Sequence, residues 1–196
     1  MTPQRLIIAM SGASGQIYGI RMLKMLAQTP DIETHLVISQ AARITIAQET
    51  DFTPAQVEAL ADVVYRPGDI GAAIASGSFA AIGMIVTPCS IKTLSGIAHS
   101  YANDLITRAA DVQLKEGRPL LLMVRETPLH LGHLRLMTQA AEMGAIIFPP
   151  VPAFYAHPQS LDEMVTNTVG RMLARLGIPN DAYDEWKGVS GSKVQG

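Results

Sequence analysis

A chain of 196 residues, 48% hydrophobic and 16% charged, holds one sizeable core and leaves little room for two domains. A net charge of −2 with scattered Lys and Arg gives no basic field for nucleic acid, and a single cysteine excludes an internal disulfide and points to a reducing compartment. No apolar run spans a bilayer and the N-terminal one is too short for a signal peptide, so the sequence reads as cytoplasmic; a mean hydropathy of +0.21 points to an oligomer or to a sheet buried on both faces.

Strand-like and helix-like runs alternate along the chain, the signature of a parallel α/β sheet covered by helices. Leu6–Met10 reads as a strand, Ile17–Gln28 as a helix ending before Thr29-Pro30, and Thr34–Ile38 as a second strand. Ala41–Gln48 is helical, and another helix starts at Thr53, with Pro54 at its first position and Gln56 closing a capping box. Val63-Val64-Tyr65 fits a short edge strand. The loop with Ser76-Gly77-Ser78 leads to a buried strand, Met84–Thr87, then to helical material including Asp104–Lys115 and a strand at Leu120–Val124. Leu131–Met143 is a helix ending at Gly144, and Ala145–Phe148 a further buried strand before the stiff Pro149-Pro150-Val151-Pro152 run. Ser160 to Glu163 forms a second capping box for a helix to about Leu176. The expectation is one domain over residues 1–187, with 188–196 as a flexible or oligomer-docking tail.

In open parallel sheets, ligands sit outside the carboxyl ends of the strands. The sharpest such end is Pro88-Cys89-Ser90-Ile91-Lys92-Thr93, where a buried strand hands over to a helix whose orphan amides and dipole favour an anion. Ser90 and Thr93 are candidate phosphate or flavin ligands, the plainer reading being Ser90 as a helix cap. Gly12, Gly15 and Gly19 permit a tight turn, but their spacing is not G-x-G-x-x-G, which disfavours NAD. Ser39 taken alone reads as a cap. Arg125-Glu126 ends a buried strand, where charges need partners or a ligand: a guanidinium for phosphate or a flavin carbonyl, a carboxylate for a proton.

Arg108, Lys115 and Arg171 are helical cations, by default surface or capping groups. Cys89 has no evident base and reads as packing. His130 and His133, three apart at a helix start, lack a third ligand, and His35, His99 and His157 show no pairing, so no metal is expected.

Together, Ser11-Gly12-Ala13-Ser14-Gly15, Ser39 with Ala41-Ala42, Glu49-Thr50, Pro88-Cys89-Ser90 with Thr93, Arg108-Ala109-Ala110-Asp111-Val112, Lys115-Glu116, Arg118-Pro119-Leu120, Arg125-Glu126, Pro152-Ala153-Phe154-Tyr155 and Pro158-Gln159-Ser160 closely resemble the flavin prenyltransferases of the UbiX and phenylacrylic-acid-decarboxylase-like family. The resemblance covers almost the whole chain. It implies a three-layer flavodoxin-like (Rossmann-like) α/β fold with helices on both faces, a dodecamer, and FMN held between subunits. It implies that reduced FMN is a substrate, taking a dimethylallyl group from dimethylallyl monophosphate at N5 and C6 to give prenylated FMN for a UbiD-type decarboxylase, here in ubiquinone synthesis.

By matching position, the resemblance assigns Gly12, Ala13, Ser14, Ser39, Ser90, Ile91, Lys92, Thr93 and Arg125 to FMN. It assigns Tyr155, Arg171, Arg108, Lys115 and Glu126 to the dimethylallyl phosphate, some from a neighbouring subunit, and Ser14, Glu49, Glu126 and Tyr155 to the chemistry. The loop before Ser76 carries Ile70 where some relatives place an aromatic ring. The competing readings are an FMN-dependent decarboxylase of the peptidyl-cysteine or phosphopantothenoylcysteine type, whose Pro-Ala-Ser-Ala-Asn-Thr loop differs from Pro88–Thr93, and a non-catalytic FMN carrier.

Overall fold

The apolar runs pair into one parallel sheet of β1 (Gln4–Met10), β2 (Ile32–Ile38), β3 (Val63–Tyr65), β4 (Gly83–Cys89), β5 (Leu120–Val124) and β6 (Ile146–Ile147), in the order β3-β2-β1-β4-β5-β6. The computed structural model describes residues 3–183, 185, 186 and 188. Ile7 lies opposite His35 on one side and Met84 on the other, and Met84 opposite Leu120. From β1 the chain winds outward to β3, returns to β4 beside β1, and winds outward the other way to β6. Such a reversal opens a crevice at the carboxyl edge between β1 and β4.

The helices are α1 (Gln16–Leu26), α2 (Gln40–Glu49), α3 (Pro54–Glu58), α4 (Ile91–Ala98), α5 (Leu105–Lys115), α6 (Leu131–Glu142) and α7 (Leu161–Arg175). Because strand side chains alternate, Ile7, Ala9, Val37, Met84, Val86, Leu120, Leu122 and Val124 share one face, packed with Leu94 of α4, Leu105 and Ala109 of α5, and Ala140 of α6. The intervening Leu6, Ile8, Met10, Leu36, Ile38, Ile85 and Leu121 are also fully buried. They point to the opposite face, and α1 packs against β1, β2 and β4. Burial on both faces accounts for the high hydropathy, each fully buried aliphatic side chain contributing about 1.5–3 kcal/mol.

Local signals start the helices. Thr53 and Gln56 close their capping box with Pro54 at the first position, Ser39 accepts from the Ala42 amide at 3.1 Å, and Asp104 caps α5 by accepting from the Thr107 amide at 2.8 Å. Two expectations need correction. The strand expected over Ala145–Phe148 shrinks to Ile146–Ile147, half-buried rather than buried, because β6 is an edge strand with one neighbour. At Ser160 the hydroxyl does accept from the Glu163 amide, but the Glu163 carboxylate accepts from the amide of Gln159, one residue earlier, so the box is not reciprocal.

Contacts group the chain into two compact units, Met1–Pro150 and Val151–Gly196. The first holds the sheet and α1–α6. The second holds a 3₁₀ turn, Phe154–Ala156, and α7, whose Gly170 carbonyl accepts from Asn180 Nδ2 at 3.0 Å. Of the tail expected at 188–196, all but Gly188 lies outside the described residues.

Candidate functional site

At the β1/β4 crevice a cleft of about 450 Å³ is lined by Gly12 after β1, Ser39, Gln40 and Ala41 after β2, Pro67 after β3, Ser90–Thr93 after β4 and Glu126 after β5. Asn103, Asp104 and Thr107 at the start of α5 complete the wall. Three helices of eight residues or more, α2, α4 and α5, therefore start at its wall, and α2 and α4 share one pattern. In each a serine caps the third amide: Ser39 for Ala42 at 3.1 Å and Ser90 for Thr93 at 3.3 Å. The two preceding amides of each, Gln40 and Ala41, Ile91 and Lys92, have no protein acceptor among the described residues. Four unpaired donors and two helix dipoles thus converge on one space, a donor set that fits a phosphate-bearing ligand.

The loop between β1 and α1 is fastened differently. Ser11 is fully buried; its hydroxyl donates to the Pro88 carbonyl at 3.0 Å and accepts from the Ser90 amide at 2.8 Å. Gln16, also fully buried, donates through Nε2 to the carbonyls of Ser11 and Ala13 at 2.8 and 2.7 Å. Glu49, at the far end of α2, accepts from the amides of Gly15 at 2.8 Å and Gln16 at 3.4 Å. Its carboxylate occupies the start of α1. Gly15 turns there with φ of 97°, a left-handed conformation that L side chains rarely adopt, and a Cβ on Gly12 would stand 2.4 Å from the Ala41 Cβ. Ala13 and Ser14 belong to this loop without lining the cleft.

Arg125 is exposed beyond β5, its amide donating to the Cys89 carbonyl at 3.2 Å. Burial raises the Tyr18 phenol above its ordinary value, and the nearby Arg125 guanidinium offsets part of that rise. Cys89 is buried just before the α4 cap, and burial pushes its thiol up to about 12, with a smaller opposing contribution from a backbone hydrogen bond. That makes it inert packing, as its lack of a base indicated.

Two other expected site residues, Arg108 and Lys115, do not line the cleft. Arg108 donates to the Ala75 carbonyl at 3.2 Å and pairs with Asp111 at 3.0 Å, while Lys115 pairs with Glu116 beside Gly77. Tyr155 and Arg171 belong to the second unit, where the Tyr155 ring meets Trp186 edge-on at 5.5 Å. His35, for which the sequence shows no pairing, is buried between Tyr65 Oη at 3.0 Å, brought close by β2–β3 pairing, and Glu33 Oε1 at 2.6 Å, two residues back on its own strand. The His130 and His133 rings lie 3.6 Å apart, and among the described residues no group of three His, Cys, Asp or Glu is placed to hold a metal.

Sequence reasoning assigned no site role to Ser11, Gln16, Gln40, Pro67, Asn103, Asp104 or Thr107. The one usable signal was Asp104-Leu105-Ile106-Thr107, a helix start with the same capping logic as Ser90 to Thr93.

Residues 1–172 match the family model described as Flavoprotein. The chain is 63% identical over 187 residues to the flavin prenyltransferase UbiX of Escherichia coli K12, covering 94% of this chain and 99% of that protein. Among solved structures, AnUbiX (PadA1) in complex with FMN and dimethylallyl pyrophosphate superposes with a TM-score of 0.93 at 47% identity, covering 95% of this chain and 99% of that one. A dodecameric FMN-dependent UbiX-like decarboxylase from Escherichia coli O157:H7 superposes with a TM-score of 0.92 at 46% identity, covering 94% of this chain and all of that one. With a doubly wound sheet whose strand-end serines open two helix starts onto one cleft, and with identity of this extent, the chain belongs to the flavin prenyltransferases of the flavoprotein family.

Proposed function

We propose that the protein joins the dimethylallyl group of dimethylallyl monophosphate to N5 and C6 of reduced FMN, releasing phosphate and prenylated FMN. The observation that carries this reading is the pair of open helix starts at Ser39 and Ser90, which offers four unpaired amides to one anion in the cleft. Reduced FMN supplies the electron-rich ring on which the new bonds form. Gln40, Ala41, Ile91 and Lys92 hold its phosphate, with Ser39, Ser90 and Thr93 fixing the direction of those amides. Gly12, in the cleft wall, and Ala13 and Ser14 of the same loop would contact the flavin, and Arg125 would pair with a ring carbonyl.

Glu126 lines the cleft with its carboxylate exposed, and its role is to hold or pass a proton as the donor's phosphate leaves. Glu49, the last residue of α2, accepts from the loop that carries Ser14, and the two relay the proton lost at C6. Tyr155 and Arg171 bind the dimethylallyl phosphate, joined by Arg108 and Lys115 of a neighbouring copy; in their own chain these two cations point toward residues 75–77 rather than into the cleft. Cations and hydrogen-bond donors stabilise a leaving phosphate with no metal required.

The assembly is a homo-oligomer, taken as dodecameric like the relative of that description. Residues 1–187 act as one flavoprotein domain, a reading supported by a family match that continues from 1 to 172 without a break at 150. No helix among the described residues is long and apolar enough to cross a membrane, and the single buried cysteine supports a cytoplasmic setting. The product passes to a UbiD-type decarboxylase, placing the protein in ubiquinone synthesis.

Anaerobic incubation with reduced FMN and dimethylallyl monophosphate, read by mass spectrometry of the flavin, tests the reaction. A prenyl mass increment is expected; folded protein that leaves the flavin unchanged refutes it. Carbon dioxide release from an acid substrate, without any partner enzyme, is the outcome that favours a decarboxylase. Glu126→Gln and Tyr155→Phe are expected to slow product formation while keeping FMN bound, a separation that a mere carrier does not show.

A further inference from the structure

We propose that Ser11 is the positioning residue of the flavin phosphate cradle, an inference that rests on the flavin reading above. Every polar group of Ser11 is committed. Its amide donates to the Pro88 carbonyl at 3.1 Å, its carbonyl accepts from Gln16 Nε2 at 2.8 Å and from the Ala13 amide at 2.9 Å, and its hydroxyl bridges the Pro88 carbonyl and the Ser90 amide. Among the described residues, the hydroxyl alone connects the loop after β1 to the residue that caps α4. No ligand atom needs to touch it, since it is fully buried and absent from the cleft wall.

Its consequence lies in the direction of α4. Ser90 is the residue from which the helix starts, and its amide is held by Ser11 rather than by anything in the cleft. With that amide fixed, the Ile91 and Lys92 amides are aimed into the space they share with Gln40 and Ala41. Removing the hydroxyl leaves a partly buried N–H without an acceptor while the Ser11 amide keeps its bond to Pro88, so the loss falls on the α4 start and spares the β1–β4 junction. A defect confined there weakens the grip on a phosphate and leaves the grip on a flavin ring nearly unchanged.

Titration of the full chain with oxidised FMN and with riboflavin, which lacks the phosphate, separates these effects. Wild-type protein is expected to prefer FMN. Ser11→Ala is expected to weaken FMN about tenfold and riboflavin by less than about twofold, so that the FMN preference falls. Ser11→Cys keeps the volume with a poor hydrogen-bonding group and shifts the ratio the same way, serving where the alanine variant folds badly. An unchanged ratio in folded variants, whether both flavins weaken alike or neither does, overturns the inference. Wild-type protein that binds neither flavin refutes the flavin reading itself, a result visible before any variant is made.

Discussion

Helices α1 and α4 start at the same crevice, each after a central strand and each behind a small-residue loop, yet their first turns are used in opposite ways. At α1 the Gly15 and Gln16 amides are closed by the Glu49 carboxylate, a charge supplied by the protein itself. At α4 only the third amide is capped, by Ser90, and the two before it face the cleft. The glycine-rich segment that looks most like a phosphate loop is therefore the closed one, and the plainer Pro88–Thr93 segment is the open one. A helix start binds an exogenous anion only where no side chain has already taken its donors.

The largest effect is expected from Gly12→Ala, which sets a methyl 2.4 Å from the Ala41 Cβ and forces the β1 loop away from the open end of α2. Overpacking of this kind costs about 2 kcal/mol, and because the wedge sits in the cleft wall the loss should appear as roughly thirtyfold weaker FMN binding. A titration showing wild-type affinity breaks the assignment of that wall to the flavin.

Ser90→Ala comes next. It removes the α4 cap and is expected to weaken FMN about tenfold. Glu49→Ala is its counterpart at the closed end: a loss of about 1 kcal/mol in thermal unfolding, with FMN affinity changed by no more than about threefold. Glu49→Gln keeps an acceptor for the two amides, so its stability should stay near wild type while product formation slows, in keeping with the proton role proposed for the carboxylate. If the two alanine variants exchange effects, the open and closed assignments are reversed.

Cys89 sharpens the same contrast from the inside. A thiol beside a helix start is normally made more acidic, but burial has pushed this one up to about 12. Iodoacetamide at pH 8 should therefore leave the native protein unlabelled and react after denaturation. Rapid native labelling indicates that the α4 start opens to solvent.

These contrasts also show what the chain discloses by itself. Strand and helix order was readable because the short continuous apolar runs and the caps at Ser39, Thr53, Ser90 and Asp104 are local signals. The reduction of β6 to two residues was not, since a strand's length depends on how many neighbours it finds. Glu126 could be picked out because a charge at the end of a buried strand needs a partner, and Ser39 and Ser90 because polar residues recur at several strand ends, although each alone reads as a helix cap. Glu49 reaches Gly15 across 34 positions, and Ser11 reaches Ser90 across 79. No motif spacing encodes such bonds; they exist only once β1 lies beside β4 and α2 beside α1. Asn103, Asp104 and Thr107 likewise reach the cleft because of where α5 begins in the fold.

The smallest effect is expected away from the crevice, where Asp62 ties the loop before β3 to the amino half of β2. Its carboxylate accepts from the Thr34 amide and hydroxyl, both at 2.7 Å, and the Thr34 hydroxyl accepts in turn from the Asp62 amide at 2.9 Å. The backbone hydrogen bond from Thr34 is the main reason its carboxyl is held below the usual carboxylate range. A group depressed in the folded state adds stability above its unfolded value and loses it as the pH falls through the folded one, so this contribution is complete at neutral pH and disappears only in acid. Because Asp62 is solvent-exposed, Asp62→Asn should lower the melting temperature at pH 7 by only about 1 °C, with the gap to wild type closing in strong acid and FMN affinity unchanged throughout. A change in FMN binding in this variant indicates that the two ends of β2 are coupled, and the contrast between α1 and α4 then extends beyond the crevice.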